Sequence, residues 1–260
     1  MRIELWLEPR SMDRPSSLIR ALGAELRRRG ATVAVRCPER SLARVDRLQV
    51  DADLYLVKSD TELALGLAGA LEGRGARVVN APVAMRHAKD KVVAAAILQD
   101  AGLPTPRSYV AVRPDQLGML PWAPLVVKPP RGYHGADVVT VLTPDALPQA
   151  ARYPEAVFAQ RLVGGPADLK IVGVGETVRG LRKPFSSRSF LTAGRPITLD
   201  PALEALGRRC AHAFGLDLWG IDVIESEIGP IVVDVNSFPG YRGVPDAAGL
   251  IADHVLAGAA

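Results

Sequence analysis

Along the first third of the chain, short apolar runs alternate with stretches whose apolar residues recur at helical spacing. Arg2–Glu8, Thr32–Cys37, Asp53–Lys58 and Ala76–Asn80 are compact and apolar enough to be buried strands. Between them, Ser16–Arg29 sets Leu18, Ile19, Leu22 and Leu26 at helical spacing and stops at Gly30, and Thr61–Glu72 carries leucines at 63, 65, 67 and 71. Strands that alternate with helices in this way form parallel sheets with helices on their faces, so residues 1–82 are expected to be a small doubly wound lobe. Pro82 to Gly102 reads as one long helical stretch, stopped by Gly102-Leu-Pro-Thr-Pro.

The pattern then changes. Strand-like runs at Pro106–Val112, Leu125–Pro129, Val138–Leu142 and Val157–Val163 are followed by two pairs, Leu169–Val174 with Thr177–Lys183 and Leu218–Glu225 with Pro230–Asn236. Links too short for crossovers predict antiparallel hairpins. Helices are expected over Pro201–Phe214 and Ala247–Leu256. The expected fold class is therefore α/β joined to α+β, with a parallel lobe at 1–82, a central lobe at 83–160 and a C-terminal lobe at 161–260.

Composition adds little to this picture except at its margins. With 48% hydrophobic and 23% charged residues the chain is an ordinary globular protein rather than a disordered one. The net charge of +4 is spread over 260 residues, which is poor support for a nucleic-acid partner and suits an anionic small molecule such as a nucleotide equally well. Only six of the 32 basic residues are lysine, so arginine raises the pI to about 9.3. No apolar run approaches the ~18 residues of a membrane span, and the start, MRIELWLEPRSMDRP, lacks the apolar core of a signal peptide, so a cytoplasmic protein without a membrane partner is expected. Cys37 and Cys210 cannot form a disulfide framework or a zinc site by themselves and are expected to be small buried residues.

The chemistry concentrates near the end of the chain. Asp234 and Asn236 lie two apart on an expected strand and so share a face, and Asp222 lies on the preceding strand of the same hairpin in apolar company. Two carboxylates and an amide oxygen converging among apolar residues repel one another unless a cation sits between them. Hard oxygen donors without histidine or thiolate suit Mg²⁺, which completes its shell with phosphate oxygens. A second group consists of lysines. Lys91 opens a helical stretch, Lys128 ends the apolar run Leu125-Val-Val-Lys128 before a loop bearing Gly132 and Gly135, and Lys170 and Lys183 sit within or at the end of the next strand pair. In a chain so poor in lysine, this placement suggests point charges directed at phosphate. His134, in the same loop, is either a plain polar loop residue or a contact to phosphate or substrate.

Taken in order, Asp90-Lys91, Leu125-Val-Val-Lys128, Phe158-Ala-Gln160-Arg161-Leu162, Asp168-Leu-Lys170, Arg182, Gly220-x-Asp222 and Asp234-x-Asn236 resemble the ATP-grasp superfamily, from about residue 50 to the end. The resemblance implies an ATP-grasp fold in which ATP lies between two α+β lobes. It implies that Lys91, Lys128 and the His134–Gly135 loop meet the phosphates, and that Gln160, Arg161 and Leu162 form the hinge that holds adenine. Lys170 and Arg182 would face the phosphates or the substrate as catalytic residues. Asp222, Asp234 and Asn236 match the Mg²⁺ ligands, with Asp234 where the family more often has glutamate; two ions are expected, with Mn²⁺ able to substitute.

Two branches share these features. RimK-like carboxylate–amine ligases are similar in Asp168-Leu-Lys170 and in the Lys128–Gly135 loop, where they usually carry glutamine before the glycine. They also tend to have Arg-x-Asn after the Arg182 strand, where this chain reads Phe185-Ser-Ser-Arg188-Ser-Phe190. Inositol trisphosphate kinases are similar in Asp234-Val-Asn236-Ser-Phe-Pro-Gly240-Tyr-Arg-Gly243 and in Lys58-Ser-Asp60, which implies that Lys58 and Gly240 lie near the substrate. Arg182, Lys183 and Asn236 complete the candidate substrate contacts. A carboxylate needs no deprotonation before it attacks phosphorus, and no general base stands out. A ligase joining a small-molecule or peptide carboxylate to an amine therefore ranks first, a small-molecule kinase second and a non-catalytic nucleotide-binding protein third.

Overall fold

The computed structural model describes residues 1–121, 123–131, 138–149, 153, 156–166, 168–185 and 192–258. Its first unit is built from β1 (Arg2–Trp6), α1 (Pro9–Asp13), α2 (Ser17–Arg28), β2 (Thr32–Arg36), β3 (Leu54–Val57), α3 (Glu62–Glu72) and β4 (Val78–Val79). The strands pair in parallel in the order β2-β1-β3-β4. Ser16 and Thr61 each accept a hydrogen bond from a first-turn amide, from Ile19 and Ala64, and so start α2 and α3. Alternate β1 residues serve opposite faces: Ile3 and Leu5 pack with Ile19, Leu22 and Leu26 of α2, whereas Trp6 packs with Ala64, Leu65 and Ala68 of α3. That is the doubly wound lobe the apolar pattern predicts.

The stretch from Pro82 to Gly102 is two helices rather than one. α4 (Pro82–Lys89) and α5 (Lys91–Asp100) are separated at Asp90, which is extended (φ −89°, ψ 110°). The Asp90 carboxylate accepts from the Val92 and Val93 amides at 3.0 and 3.4 Å, so a residue that fits the helical spacing of its neighbours acts as a cap and breaks the helix. Lys91 thereby becomes the first residue of α5.

The central sheet contains β5 (Ser108–Ala111), β6 (Leu125–Lys128), β7 (Val139–Val141) and β8 (Val157–Arg161), antiparallel in the order β5-β8-β6-β7. The third sheet contains β9 (Leu169–Val174), β10 (Thr177–Arg182), β11 (Arg195–Ile197), β12 (Leu218–Ser226) and β13 (Gly229–Ser237), in the order β11-β10-β9-β12-β13 and also antiparallel. α6 (Pro201–Phe214) and α7 (Ala247–Ala257) accompany it. β11 carries no apolar alternation; its residues Arg-Pro-Ile are largely exposed at the sheet edge, which is why the sequence pattern passes over it.

The third sheet is buried on both faces. Ile171, Trp219, Ile221 and Val235 pack against Leu98 of α5 and Leu206 and Cys210 of α6. Val172, Val174, Leu181 and Leu218 on the other face join one core with α7, α2 and the Ile3–Leu5 face of β1. Asn80, fully buried, ties the two sheets: its Nδ2 donates to the Leu218 carbonyl at 2.8 Å and its Oδ1 accepts from the Asp217 and Leu218 amides. Cys37 and Cys210 are both buried and free, and burial pushes the Cys210 thiol up to about 12. Among the described residues, no helix is long and apolar enough to cross a membrane.

Candidate active site

A narrow cleft opens where α5, the central sheet and the edge strand β13 meet. Lys91, Ala94, Ala95 and Leu98 line it from α5, Lys128, Phe158 and Gln160 from the central sheet, and Val233, Asp234 and Val235 from β13. Lys128 is only 8% exposed. Its ammonium donates to the Val233 carbonyl at 3.3 Å and lies 5.6 Å from the centre of the Phe158 ring. The strand pairing explains that carbonyl: between Asp222 and Val223 the β12–β13 register shifts, so Val233 is an extra residue in a bulge. Burial pushes the Lys128 ammonium below the usual lysine range; Asp234 and Asp222 oppose the shift and Lys91 adds to it. Lys91 is held close by its backbone N–H, which donates to the Pro130 carbonyl at 3.0 Å.

The three hinge candidates separate by strand alternation. Gln160 is buried (5% exposed), lines the cleft and donates to Ser108 Oγ at 3.3 Å. Arg161 points the other way and donates to the Pro121 carbonyl at 3.2 Å. Leu162 exposes its side chain, while its backbone N–H bonds the Pro124 carbonyl. His134 and Gly135 lie outside the described residues.

Asp222 pairs directly with Asp234 across β12 and β13, and Gly220 pairs with Asn236, so Asp222, Asp234 and Asn236 share one face as the spacing predicts. Asn236 Nδ2 approaches Asp234 Oδ2 at 3.5 Å, which leaves the amide oxygen for another partner. On the same face Lys170 pairs with Asp222 from β9 and forms an ion pair with it at 2.5 Å. Two carboxylates and an amide oxygen are a donor set that fits Mg²⁺ and offers nothing to a softer metal. Among the described residues no group of three or more His, Cys, Asp and Glu gathers, and this set reaches three oxygen donors only with the Asn236 amide.

Arg182 does not join this face. Leu181 pairs with Lys170 and therefore shares its side of the sheet, and Arg182, one residue on, takes the opposite side. There its guanidinium is held by Asp168 at 2.8 Å and by Glu225, contacts that raise its pKa further. Alternation along β10 thus turns the Arg182 side chain away from the face of Lys170 and Asp222 and into ion pairs with Asp168 and Glu225. Lys183 returns to the Lys170 face and is 9% exposed. Burial pushes its ammonium below the usual range, with Lys170 and Arg242 adding to the shift and Asp222 opposing it.

Arg242, to which the sequence motifs give no role, lies near enough to Lys183 to help lower its pKa. It follows a turn in which Phe238 and Tyr241 hold left-handed backbone (φ 44° and 47°) with both side chains buried. The Tyr241 hydroxyl donates to the Gly173 carbonyl at 2.7 Å, and such backbone strain costs about 1–3 kcal/mol per residue, so the turn is held by its surroundings. The signal for Arg242 in the sequence was its place in the run Asp234-Val-Asn236-Ser-Phe-Pro-Gly240-Tyr-Arg-Gly243. Gly240 in that turn is exposed. Lys58, at the end of β3, lies 5.2 Å from the Phe238 ring. Burial lowers its pKa against the charges of Asp60 and Glu8.

Residues 88–258 match the model of the RimK-like ATP-grasp domain. A probable alpha-L-glutamate ligase of Shewanella loihica is 32% identical over 195 residues, covering 68% of this chain and 65% of that protein. The chain therefore spans slightly less than two thirds of that relative. A probable alpha-L-glutamate ligase 2 of Hahella chejuensis is 30% identical over 234 residues, covering 81% of this chain and 77% of its own. Among solved structures, a RimK domain ATP-grasp protein from Sphaerobacter thermophilus superposes with a TM-score of 0.78 at 23% identity, covering 98% of this chain and all of the other. D-cycloserine synthetase DcsG superposes over both full lengths with a TM-score of 0.74 at 17% identity. At such identities the likeness shows a shared fold, the ATP-grasp fold.

Proposed function

The chain belongs to the RimK-like ATP-grasp family, and from that premise we propose that it is an ATP- and Mg²⁺-dependent ligase joining a small-molecule or peptide carboxylate to an amine. The observation that carries this is the cleft in which Lys91 and Lys128 stand across from Asp234, with Asp222 and Asn236 on the same strand pair. Lys91 and Lys128 hold the ATP phosphates by charge-assisted hydrogen bonds, and Gln160 borders the base. Asp222, Asp234 and Asn236 would hold Mg²⁺, two ions in our reading, with Mn²⁺ able to substitute, and the ions would supply positive charge against the phosphoryl group in transfer. Lys170, paired with Asp222 at 2.5 Å, would supply a further positive charge toward the transferring group. A carboxylate oxygen attacks the γ-phosphorus, the bond to the β–γ bridging oxygen breaks, and ADP leaves an acyl phosphate. The amine nitrogen then attacks the acyl carbon, the carbon–oxygen bond to phosphate breaks, inorganic phosphate leaves, and the amine's proton passes to solvent.

Relatives named as alpha-L-glutamate ligases and a peptide-bound solved structure of the same fold, PsnB with its precursor peptide, favour amino acids and peptides as the first substrates to screen. The fate of the phosphoryl group tests the reaction type. The expected result is ADP and inorganic phosphate in equal amounts, with hydroxamate formed when hydroxylamine replaces the amine. A kinase would leave phosphate covalently on its acceptor and release none. If inositol phosphates are phosphorylated without free phosphate, and Lys58→Ala destroys that activity, the ligase assignment is wrong.

A further inference from the structure

One edge of the central sheet is β5, and its backbone faces outward. The Arg161 N–H donates to the Arg107 carbonyl at 2.9 Å, so Arg107 and Arg161 form a hydrogen-bonded pair across β5 and β8. Antiparallel alternation then gives Tyr109–Ala159 and Ala111–Val157 to the ladder and turns the N–H and C=O of Ser108 and Val110 away from β8. Among the described residues neither meets a backbone partner on that side. Val110 and Val112 are 56% and 71% exposed. A groove of ≈ 330 Å³ lies between the strand and the 3₁₀ turn Pro114–Met119, with Leu117 and Leu120 opposite Tyr109, Val110, Ala111 and Val112. Four consecutive strand residues can border one groove only along the edge, because their side chains alternate between the faces. Such edges are usually blunted with lysine, proline or a covering element. The edge strand β11 carries Pro196, whereas Ser-Tyr-Val-Ala of β5 has neither lysine nor proline.

The charge beside this edge decides what it accepts. Arg107 and Arg161 stand directly opposite each other, an arrangement of like charges that destabilises a strand pair. Among the described residues neither forms an ion pair, and Arg161 and Arg107 both lie against the Tyr109 hydroxyl and lower its pKa. Arg113, at the other end, is neutralised by Asp115. A carboxylate beside Tyr109 would relieve the repulsion. A second copy of this strand offers none, since Arg107–Arg113 holds two arginines and no acidic residue. We propose that the β5 edge is a docking site for an extended acidic peptide segment, which adds a strand through Ser108 and Val110, lays an apolar side chain in the groove and sets a carboxylate against Arg107 and Arg161. The site stands apart from the nucleotide cleft. Val110, Phe158 and Lys128 form one row across β5, β8 and β6, so the added strand lies three spacings, roughly 14 Å, from Lys128. The docking therefore does not depend on the ligase assignment.

The probe is a fluorescent peptide, acetyl-Glu-Thr-Val-Thr-Val-Thr-Glu-amide, titrated with the full chain and read by anisotropy. Glutamate at both ends serves either strand direction. Saturable binding with a Kd below about 1 mM is expected. The same peptide ending in lysines should bind roughly threefold or more weakly, with the difference shrinking at high salt. Val110→Pro removes the outward N–H at an edge position, where proline is tolerated, and should weaken binding roughly fivefold or more with little change in the melting curve. Val110→Thr, which keeps the N–H, should bind like wild type, and Arg107→Glu should erase or reverse the preference for glutamate over lysine. If the proline variant melts early, N-methylating alternate peptide residues, in each of the two phases, tests the same bonds without touching the protein; one phase should lose binding. No saturable binding by wild type, equal binding of the two peptides, or undiminished binding by folded Val110→Pro or by both methylated peptides would each overturn the proposal. A dimer in sedimentation that Val110→Pro turns into a monomer would assign the edge to a second copy instead.

Discussion

Replacing Lys128 with methionine should move nucleotide affinity and the stability of the free protein in opposite directions. The ammonium sits at the end of β6 with 8% exposure and a single, long hydrogen bond to the Val233 carbonyl. Without nucleotide it is desolvated and close enough to Lys91 for repulsion, which is why its pKa lies below the ordinary lysine value. Methionine matches the length of the stem, removes the desolvation cost and forfeits one bond of about 1 kcal/mol together with the contact to Phe158. The free protein should therefore melt no lower, and by up to a few degrees higher, than wild type. ATP, by contrast, loses a charge-assisted bond in a dry cleft, on the order of 1.5–3 kcal/mol, or roughly ten- to hundredfold in Kd, while adenosine affinity hardly changes. Calorimetry with ATP and adenosine, beside melting curves without ligand, reads both. Unchanged ATP affinity would remove Lys128 from the phosphate site, and a sharply lowered melting point with full ATP affinity would make it a structural residue.

Three further substitutions test the frame around that cleft. Asp234→Asn keeps the shape of the β12–β13 pair but removes a carboxylate from the oxygen set, so Mg²⁺-dependent ATP turnover should fall to near background with an unchanged melting curve; turnover at wild-type level would refute the metal assignment. Asn80→Ala leaves the buried Leu218 carbonyl and the Asp217 and Leu218 amides without their partner, and should cost about 1–3 kcal/mol or more in denaturant unfolding. A loss below about 0.5 kcal/mol would show that water replaces the amide there. Glu39 is partly buried, which would raise its pKa, but hydrogen bonds from Thr61, Cys37 and Ser59 outweigh burial and hold it below 4.5. Its contribution is thus complete above 4.5 and is lost as pH falls through the folded value, so Glu39→Gln should flatten the acid limb of the stability profile, and an unchanged limb would exclude it.

Much of the fold was legible because burial and periodicity coincide. The apolar stripe of α2 and the strands of the first lobe follow directly from positions such as Leu22, Leu26, Leu54 and Leu56, all fully buried. The hairpins of the third sheet were legible for a related reason: links this short leave the chain no route but back. What escaped depended on local competition. Asp90 has the right neighbours for a helix interior, yet its carboxylate satisfies amides that the helix would otherwise leave open. β11 is held by pairing to β10 alone, and nothing in Arg-Pro-Ile marks an edge strand in advance.

The site was legible where its residues share one strand and obscure where they depend on register between strands. Asp234 and Asn236 are two apart, and period two settles their common face without further knowledge. Arg182 and Lys183 are adjacent, so period two settles only that they oppose each other; which of them meets Asp222 is decided by the pairing of Leu181 with Lys170, a fact of the folded sheet. A shift of one residue in that hairpin would have set Arg182, now held by Asp168 and Glu225, on the face where Asp222 lies. The bulge at Val233 works in the same manner. It adds one residue to β13, turns a carbonyl toward Lys128, and so connects the central sheet to the strand that carries Asp234 and Asn236. Register thus decides that Lys170 meets Asp222 on one face of the sheet while Asp168 and Glu225 hold Arg182 on the other.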